Sequence, residues 1–234
     1  MDLDTFLKNC QKELGIKFVD TELLRIALTH SSGADTPQSS NERMEFLGDS
    51  VLGYVICDYL FANFPEMLEG DMTKIKSAVV SRVTCHAVCQ RIGLDKYLIL
   101  GRGLGRSGRV PDSVLANAME SFIAAVYLDG GLEAARQFIL ASFREDIDRM
   151  LADHDADNFK SLLQHHSQKF LGHSPEYKVI EVKGPDHHKA FNVGVRIGEK
   201  VFPSAWGATK KEAEQRAAEN ALAVIRGEAP PYLH

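Results

Sequence analysis

The chain has 234 residues, 44% of them hydrophobic and 25% charged, with a formal net charge of −5. That is the size of one large or two modest globular domains of ordinary composition. No apolar run approaches the roughly 20 residues of a membrane helix. The opening MDLDTFLKNC has no basic segment ahead of an apolar core, so no secretory signal is expected and the cytoplasm is the expected compartment.

Taken in chain order, the first 150 residues read as helical almost throughout. Short helices fit 2–13 and 20–29. Apolar residues then recur at three- and four-residue spacing in 41–63, 70–92, 111–129 and 131–146. Breakers separate them at Gly33 to Pro37, Pro65, the Gly/Arg stretch 101–109, and Gly130-Gly131. Residues 1–150 form an expected all-α domain, and the polar, acidic stretch 151–156 an expected linker. Beyond it a helix fits 157–170, strands fit 175–183, 189–197 and about 200–206, and a last helix fits 209–226. Phe191, Val193, Val195 and Ile197 alternate with the period of two of a strand. Thr209 and Glu212 have capping-box spacing at the start of the last helix. The expected second domain, 157–226, is therefore α+β in the order α-β-β-β-α, with 227–234 as a tail.

Two patterns carry little. Gly103-Leu-Gly105-Arg-Ser-Gly108 matches GxGxxG, but that pattern binds dinucleotides only between a strand and a helix, and here the surroundings are helical. Cys10, Cys57, Cys85 and Cys89 lack a second ligand pair at zinc-site spacing and read as buried free thiols. Charge is unevenly spread. Residues 1–156 hold 16 basic and 23 acidic side chains, whereas 157–226 hold 11 basic and 8 acidic with five histidines. An acidic body joined to a basic module fits metal binding in the first and anion binding in the second.

The segment Asn41 to Leu52 is the most informative. At about 100° per residue, Met44, Leu47, Val51 and Val55 gather on one side of a helix and Glu42, Glu45 and Asp49 on the opposite side. A second helix repeats the arrangement, with Met119, Phe122 and Val126 apolar and Asn117 and Glu120 opposite. Three acids with no cation on their line repel one another. Protonation or a bound cation offsets such repulsion. Carboxylate and amide oxygens suit a hard ion, Mg²⁺ or Mn²⁺. Phe46 lies beside the acids and not in the apolar stripe, so it is packed under a loop or buried in a partner.

NERMEFLGDSVL resembles the signature motif of the ribonuclease III family. The resemblance continues in Ala27-Leu-Thr-His30-Ser, in Glu69-Gly-Asp-Met-Thr-Lys-Ile-Lys and in Ser113-Val-Leu-Ala-Asn117-Ala-Met-Glu120, and covers about residues 5–150. It implies a metal-dependent endonuclease on double-stranded RNA, one that processes ribosomal RNA precursors and other structured transcripts. Glu45, Asp49, Asn117 and Glu120 fall at the family's metal positions, and Asp49 and Glu120 at the positions essential to cleavage. Glu42 and Glu69 fall at further acidic positions. Hydrolysis leaving a 5′-phosphate and short 3′ overhangs is implied, as is a homodimer with Phe46 inserted in the other subunit. The family usually has aspartate where this chain has Asn117. Asparagine keeps a carbonyl oxygen and loses the charge. A natural variant with weaker metal binding and an engineered change both account for it.

Residues 157–226 resemble a double-stranded-RNA-binding domain, through Gly184-Pro185-Asp-His187 and Lys210-Lys211-Glu-Ala-Glu-Gln-Arg-Ala-Ala. Two lysines at a helix N-terminus make a phosphate clamp on physical grounds alone. The resemblance implies that Ser161, Gln164 and His165 face one minor groove, that His187 reaches the next, and that Lys210 and Lys211 grip the phosphates between. Tyr177, Phe191 and Phe202 read as core. The competing reading is a duplex-binding protein whose nuclease body no longer cuts well, which Asn117 favours and Glu45, Asp49 and Glu120 oppose.

Overall fold

The computed structural model describes residues 2–105, 110–156, 159–185 and 188–233. The chain divides into two compact units, Met1–Met150 and Leu151–His234.

The first unit is helical: α1 (Leu3–Leu14), α2 (Thr21–Leu28), α3 (Glu42–Asn63), α4 (Glu69–Val79), α5 (Arg82–Arg91), α6 (Arg102–Gly105), α7 (Asp112–Ser142) and α8 (Arg144–Ala156), with short 3₁₀ turns between some of them. The centre is α7, against which α2, α3 and α5 pack. Every residue from Ser121 to Val126 is buried. A helix enclosed all round needs no polar face, and this corrects the two-sided reading of that segment. Phe122 lies at its heart, edge-on to Phe18 and Phe138 with ring centroids 5.8 and 5.2 Å away. Gly131, at φ +77°, breaks α7 where the glycine pair marks the sequence.

The approach of α3 to α7 is set by one glycine. A β-carbon built on Gly48 would fall 1.7 Å from the Glu120 carbonyl oxygen. Gly48 sits between the apolar side of α3 and its acidic side, so the contact draws both sides to α7. Ser121 fixes the register, because its hydroxyl donates to the carbonyls of Asn117 (2.6 Å) and Asn41 (3.2 Å). The acids of α3 therefore flank the packing seam and do not stand opposite it.

Two other expectations change. The helix expected over 70–92 is two helices, α4 and α5. Ser81 caps α5 by accepting from the Thr84 N–H at 3.2 Å, and the Thr84 hydroxyl donates to the Ala78 carbonyl at 2.8 Å. The stretch 151–156, expected as a linker, is the end of α8. Gly103 and Gly105 lie in α6 with no strand leading in, while Gly108 of the same pattern lies outside the described residues. Among the described residues no helix is long and apolar enough to cross a membrane.

The second unit is α9 (Phe159–Leu171), β1 (Pro175–Lys183), β2 (Ala190–Ile197), β3 (Lys200–Gly207) and α10 (Lys210–Arg226). The strands form an antiparallel sheet in the order β1-β2-β3. Its core joins Leu163 of α9, Val195, Ile197, Phe202 and Ala205 of the sheet, and the alanine-rich side of α10 with Leu222. Tyr177 packs against this core. Phe191 departs from the core reading: it is half-buried at the rim, with the Lys210 ammonium 5.8 Å from its ring.

Gly48→Ala forces backbone apart at the seam, where no flexible side chain can yield. The expected cost is about 3 kcal/mol or more, measured by urea unfolding, together with loss of cleavage.

Candidate metal centre and RNA-binding face

Glu45 and Glu120 are half-buried and Asp49 is exposed. Their charges are mutually felt. Burial, then the charges of Asp49 and Glu45, push the Glu120 carboxyl up to about 7 against a smaller opposing effect of Arg82. Burial and the charge of Glu42 raise Glu45, opposed by Arg82 and by a hydrogen bond from the Asn117 amide. Asn117 is thus a donor to the cluster as well as a source of a carbonyl oxygen. Beneath them the Cys85 thiol is buried. Desolvation, followed by the charges of Glu120 and Asp49, pushes it up to about 12.

Arg82 was not singled out in the sequence, because it belongs to another helix. It is the first residue of α5, just after the Ser81 cap, and is exposed. Cys85, one turn on, is buried and feels the charges of Glu120 and Asp49, so the first turn of α5 borders the cluster. The α3 acids have no cation on their own line, and α5 supplies one.

The donor set suits a hard divalent ion: carboxylates from two helices, an amide oxygen, and partial burial of Glu45 and Glu120. Among the described residues no three His, Cys, Asp or Glu side chains are drawn to a common point. The backbones of α3 and α7 touch at Gly48, beside these side chains.

The other acids sit differently. Glu42 is exposed in the first turn of α3 and acts on Glu45 through its charge. Glu69 opens α4, accepts from the Thr73 hydroxyl at 2.9 Å, and lines a groove of about 390 Å³ with Tyr54, Cys57, Phe61, Met72 and Lys76. Phe46 is 80% exposed, and Phe61 75%. Cys10, Cys85 and Cys89 are buried as expected; Cys57 is exposed, because it faces that groove.

On the second unit Ser161, Gln164 and His165 share one side of α9 by their spacing, with Gln164 and His165 exposed. His187 lies outside the described residues. Lys210 and Lys211 are exposed in the first turn of α10, capped by the Thr209 hydroxyl, which accepts from the Glu212 N–H at 3.1 Å. The Glu212 carboxylate accepts from the Ala208 N–H at 2.7 Å, one residue before the position a capping box predicts. Beside this turn Lys189, Phe191, Trp206 and Arg216 line a cavity of about 760 Å³. Lys183 stands 4.7 Å over the Trp206 ring. Trp206 did not stand out in the sequence, and Arg216 appeared there only within the α10 motif.

Comparison with known proteins matches residues 20–147 to the model described as ribonuclease-III-like and residues 159–225 to the double-stranded RNA binding motif. The curated Ribonuclease 3 of Rhodopirellula baltica is 47% identical over 97% of this chain and 85% of its own length. The chain belongs to the ribonuclease III family. Ribonuclease 3 of Borreliella burgdorferi is 42% identical over 94% of the chain and 90% of its own. Among solved structures, the nuclease domain of ribonuclease III from Campylobacter jejuni matches with a TM-score of 0.56 at 31% identity, over 60% of this chain and 97% of that one. As a ribonuclease III, the protein is an endoribonuclease on double-stranded RNA and a divalent-metal nuclease.

A carboxyl raised in the fold favours folding where it is protonated. The contribution of Glu120 is therefore full below the unfolded value of 4.5 and is lost as pH rises through about 7. Without divalent metal, Glu120→Gln is expected to be more stable than the parent at pH 8, by about 2 kcal/mol after discounting for partial solvation. The difference should vanish near pH 4. Thermal melts across that range in EDTA measure it.

Proposed function

We propose that Glu45, Asp49, Asn117 and Glu120 hold Mg²⁺, with Mn²⁺ as a substitute, and that Asp49 and Glu120 are the residues on which cleavage depends most. The observation that carries this reading is the Gly48–Glu120 approach, which brings acids of α3 and α7 into one electrostatic field. A bound ion would supply a nucleophile from water at neutral pH and charge stabilisation for the phosphodiester. The chain's own groups do the rest. Asn117 orients Glu45 through its amide, and Arg82 sets the cluster's net charge. Glu120, pushed up to about 7 in the free protein and so part-protonated at neutrality, has a proton to give up as the site fills. Glu42 adds negative potential at the rim, and Glu69 does so from α4. The products are 5′-phosphate ends with short 3′ overhangs, and ribosomal RNA precursors and other structured transcripts in the cytoplasm are the substrates.

The acting form is a homodimer. Phe46, Tyr54 and Phe61 expose apolar surface along α3, next to the α3–α4 groove. A two-fold axis would let one protomer's Phe46 fill the groove of its partner, and the partner's surface would answer in kind. In the second unit Ser161, Gln164 and His165, together with His187 and the lysines Lys210 and Lys211, are the contacts to the duplex. They read its shape through minor-groove hydroxyls and phosphates.

Incubating the protein with a long RNA duplex is expected to give short fragments with Mg²⁺ and intact, bound duplex in EDTA; binding without metal-dependent fragments would overturn the enzymatic assignment of the site. Asn117→Asp is expected to lower the Mg²⁺ concentration for half-maximal cleavage several-fold, since one unit charge is restored near the ion. Equal half-saturation would show that Asn117 does not weaken metal binding. Phe46→Asp places a charge at the proposed contact and is expected to give monomers by analytical ultracentrifugation, with helicity retained.

A further inference from the structure

The stretch after α10, read from sequence as part of a tail, is docked through Tyr232. Gly227 adopts φ +78° and closes α10 with two reversed hydrogen bonds, Gly227 N–H to the Val224 carbonyl (3.1 Å) and Glu228 N–H to the Ala223 carbonyl (2.8 Å). This ending turns the chain back along the helix. Pro230 and Pro231 stiffen the returning segment. It delivers Tyr232 to Asn220, which is fully buried. The Asn220 amide donates to the Tyr232 carbonyl at 2.7 Å, and its oxygen accepts from the Tyr232 N–H at 2.9 Å. The same amide also donates to the Ser204 carbonyl of β3 at 3.2 Å. Tyr232 packs against the core of the unit, and its hydroxyl bonds the Glu219 carboxylate.

The tyrosine ring covers Arg216, whose guanidinium carbon lies 5.2 Å from the ring centroid. Arg216 in turn donates to the Trp206 carbonyl at the end of β3 (2.8 Å) and pairs with Glu212 at 2.6 Å. The second oxygen of Glu212 holds the Ala208 N–H. Arg216 and Glu212 line both cavities beside this turn, one of about 760 Å³ and one of about 360 Å³ that Tyr232 closes from the other side. A continuous chain of contacts thus runs from Tyr232 through Arg216 and Glu212 to the junction of β3 and α10, where Lys210 and Lys211 begin.

We propose that Tyr232 is a positioning residue for RNA binding: docked on Asn220, it clamps Arg216 so that the Arg216–Glu212 pair fixes the first turn of α10 and aims its two lysines at duplex phosphates. The inference rests on the reading of Lys210 and Lys211 as the phosphate clamp. It adds the segment 228–233 to the binding module, with a duplex RNA backbone as the ligand.

The test uses the full chain in EDTA, with a labelled RNA duplex longer than the roughly 16 base pairs one module spans. Fluorescence anisotropy over a salt series gives the dissociation constant and its salt dependence. The paired substitutions Lys210→Ala and Lys211→Ala report on the clamp itself. Tyr232→Ala is expected to weaken binding about five-fold and to flatten the salt dependence toward that of the lysine variant, by up to about one unit of slope for each phosphate released from the clamp. A module that merely unfolds in part loses affinity without that change of slope. Tyr232→Phe keeps the ring and the backbone bonds and is expected to restore binding. In the background lacking both lysines, Tyr232→Ala is expected to cost nothing more, because the two act as one unit.

Wild-type affinity for Tyr232→Ala would overturn the proposal while leaving the clamp in place. So would a loss of equal size in the lysine-free background with an unchanged slope. Unimpaired binding by the lysine variant would remove the clamp, and the positioning role with it. Should Tyr232→Ala fail to fold by circular dichroism, the pair Pro230→Gly and Pro231→Gly loosens the strap with every contact side chain kept. It is expected to shift affinity and slope in the same direction by a smaller factor, and no shift at all would again overturn the proposal.

Discussion

Two helices carrying acidic residues have every electrostatic reason to keep apart, and in this protein they are in backbone contact. The approach at Gly48 makes that tolerable. With no side chain there, α3 lies directly on the Glu120 carbonyl, and the apolar burial gathered around α7 outweighs the cost of holding carboxylates near one another. Burial first, and the charges of Asp49 and Glu45 after it, displace the Glu120 carboxyl to about 7. Strain of this kind is commonly retained where function needs it. Everything at the proposed metal centre follows from that contact: Asn117 reaches Glu45 because the seam is tight, and the first turn of α5 borders the same cluster because α5 also packs on α7.

Spacing within one helix was readable from sequence; relations between helices were not. Glu42, Glu45 and Asp49 announce themselves by their shared side, and the α-β-β-β-α order by a change of period at about residue 175. The mutual packing of α3 and α7 left only the small residue Gly48 as a hint. The all-round burial of residues 121–126 in α7 is hidden in the sequence because the alanines and Ser121 blur any apolar stripe, and only the tertiary setting shows that small residues there mean close neighbours. Arg82 could not be placed beside acids some 35 to 40 residues away by any local pattern. The break at Val80-Ser81 has neither glycine nor proline, only a serine with a threonine three residues on, a weak capping signal.

The second unit shows the same limit in a smaller space. Alternation gave Val193, Val195 and Ile197 as core, and they are buried. The same alternation put Phe191 among them, whereas the sheet ends there and leaves the ring at the rim under Lys210. The end of the last helix at 226 was readable. The return of the chain onto Asn220 depends on a polar residue buried inside an alanine-rich helix, and periodicity treats such a residue as a blemish.

The placement of the thiols bears on how the molecule can be handled. Burial pushes Cys10, Cys85 and Cys89 up to about 12, far above the range in which a thiolate forms at neutral pH. Cys57 alone among the four is exposed, on the wall of the α3–α4 groove. Electrophilic dyes and spin labels will therefore find a single handle on an otherwise native chain, and that handle sits on the surface where association between copies would register first.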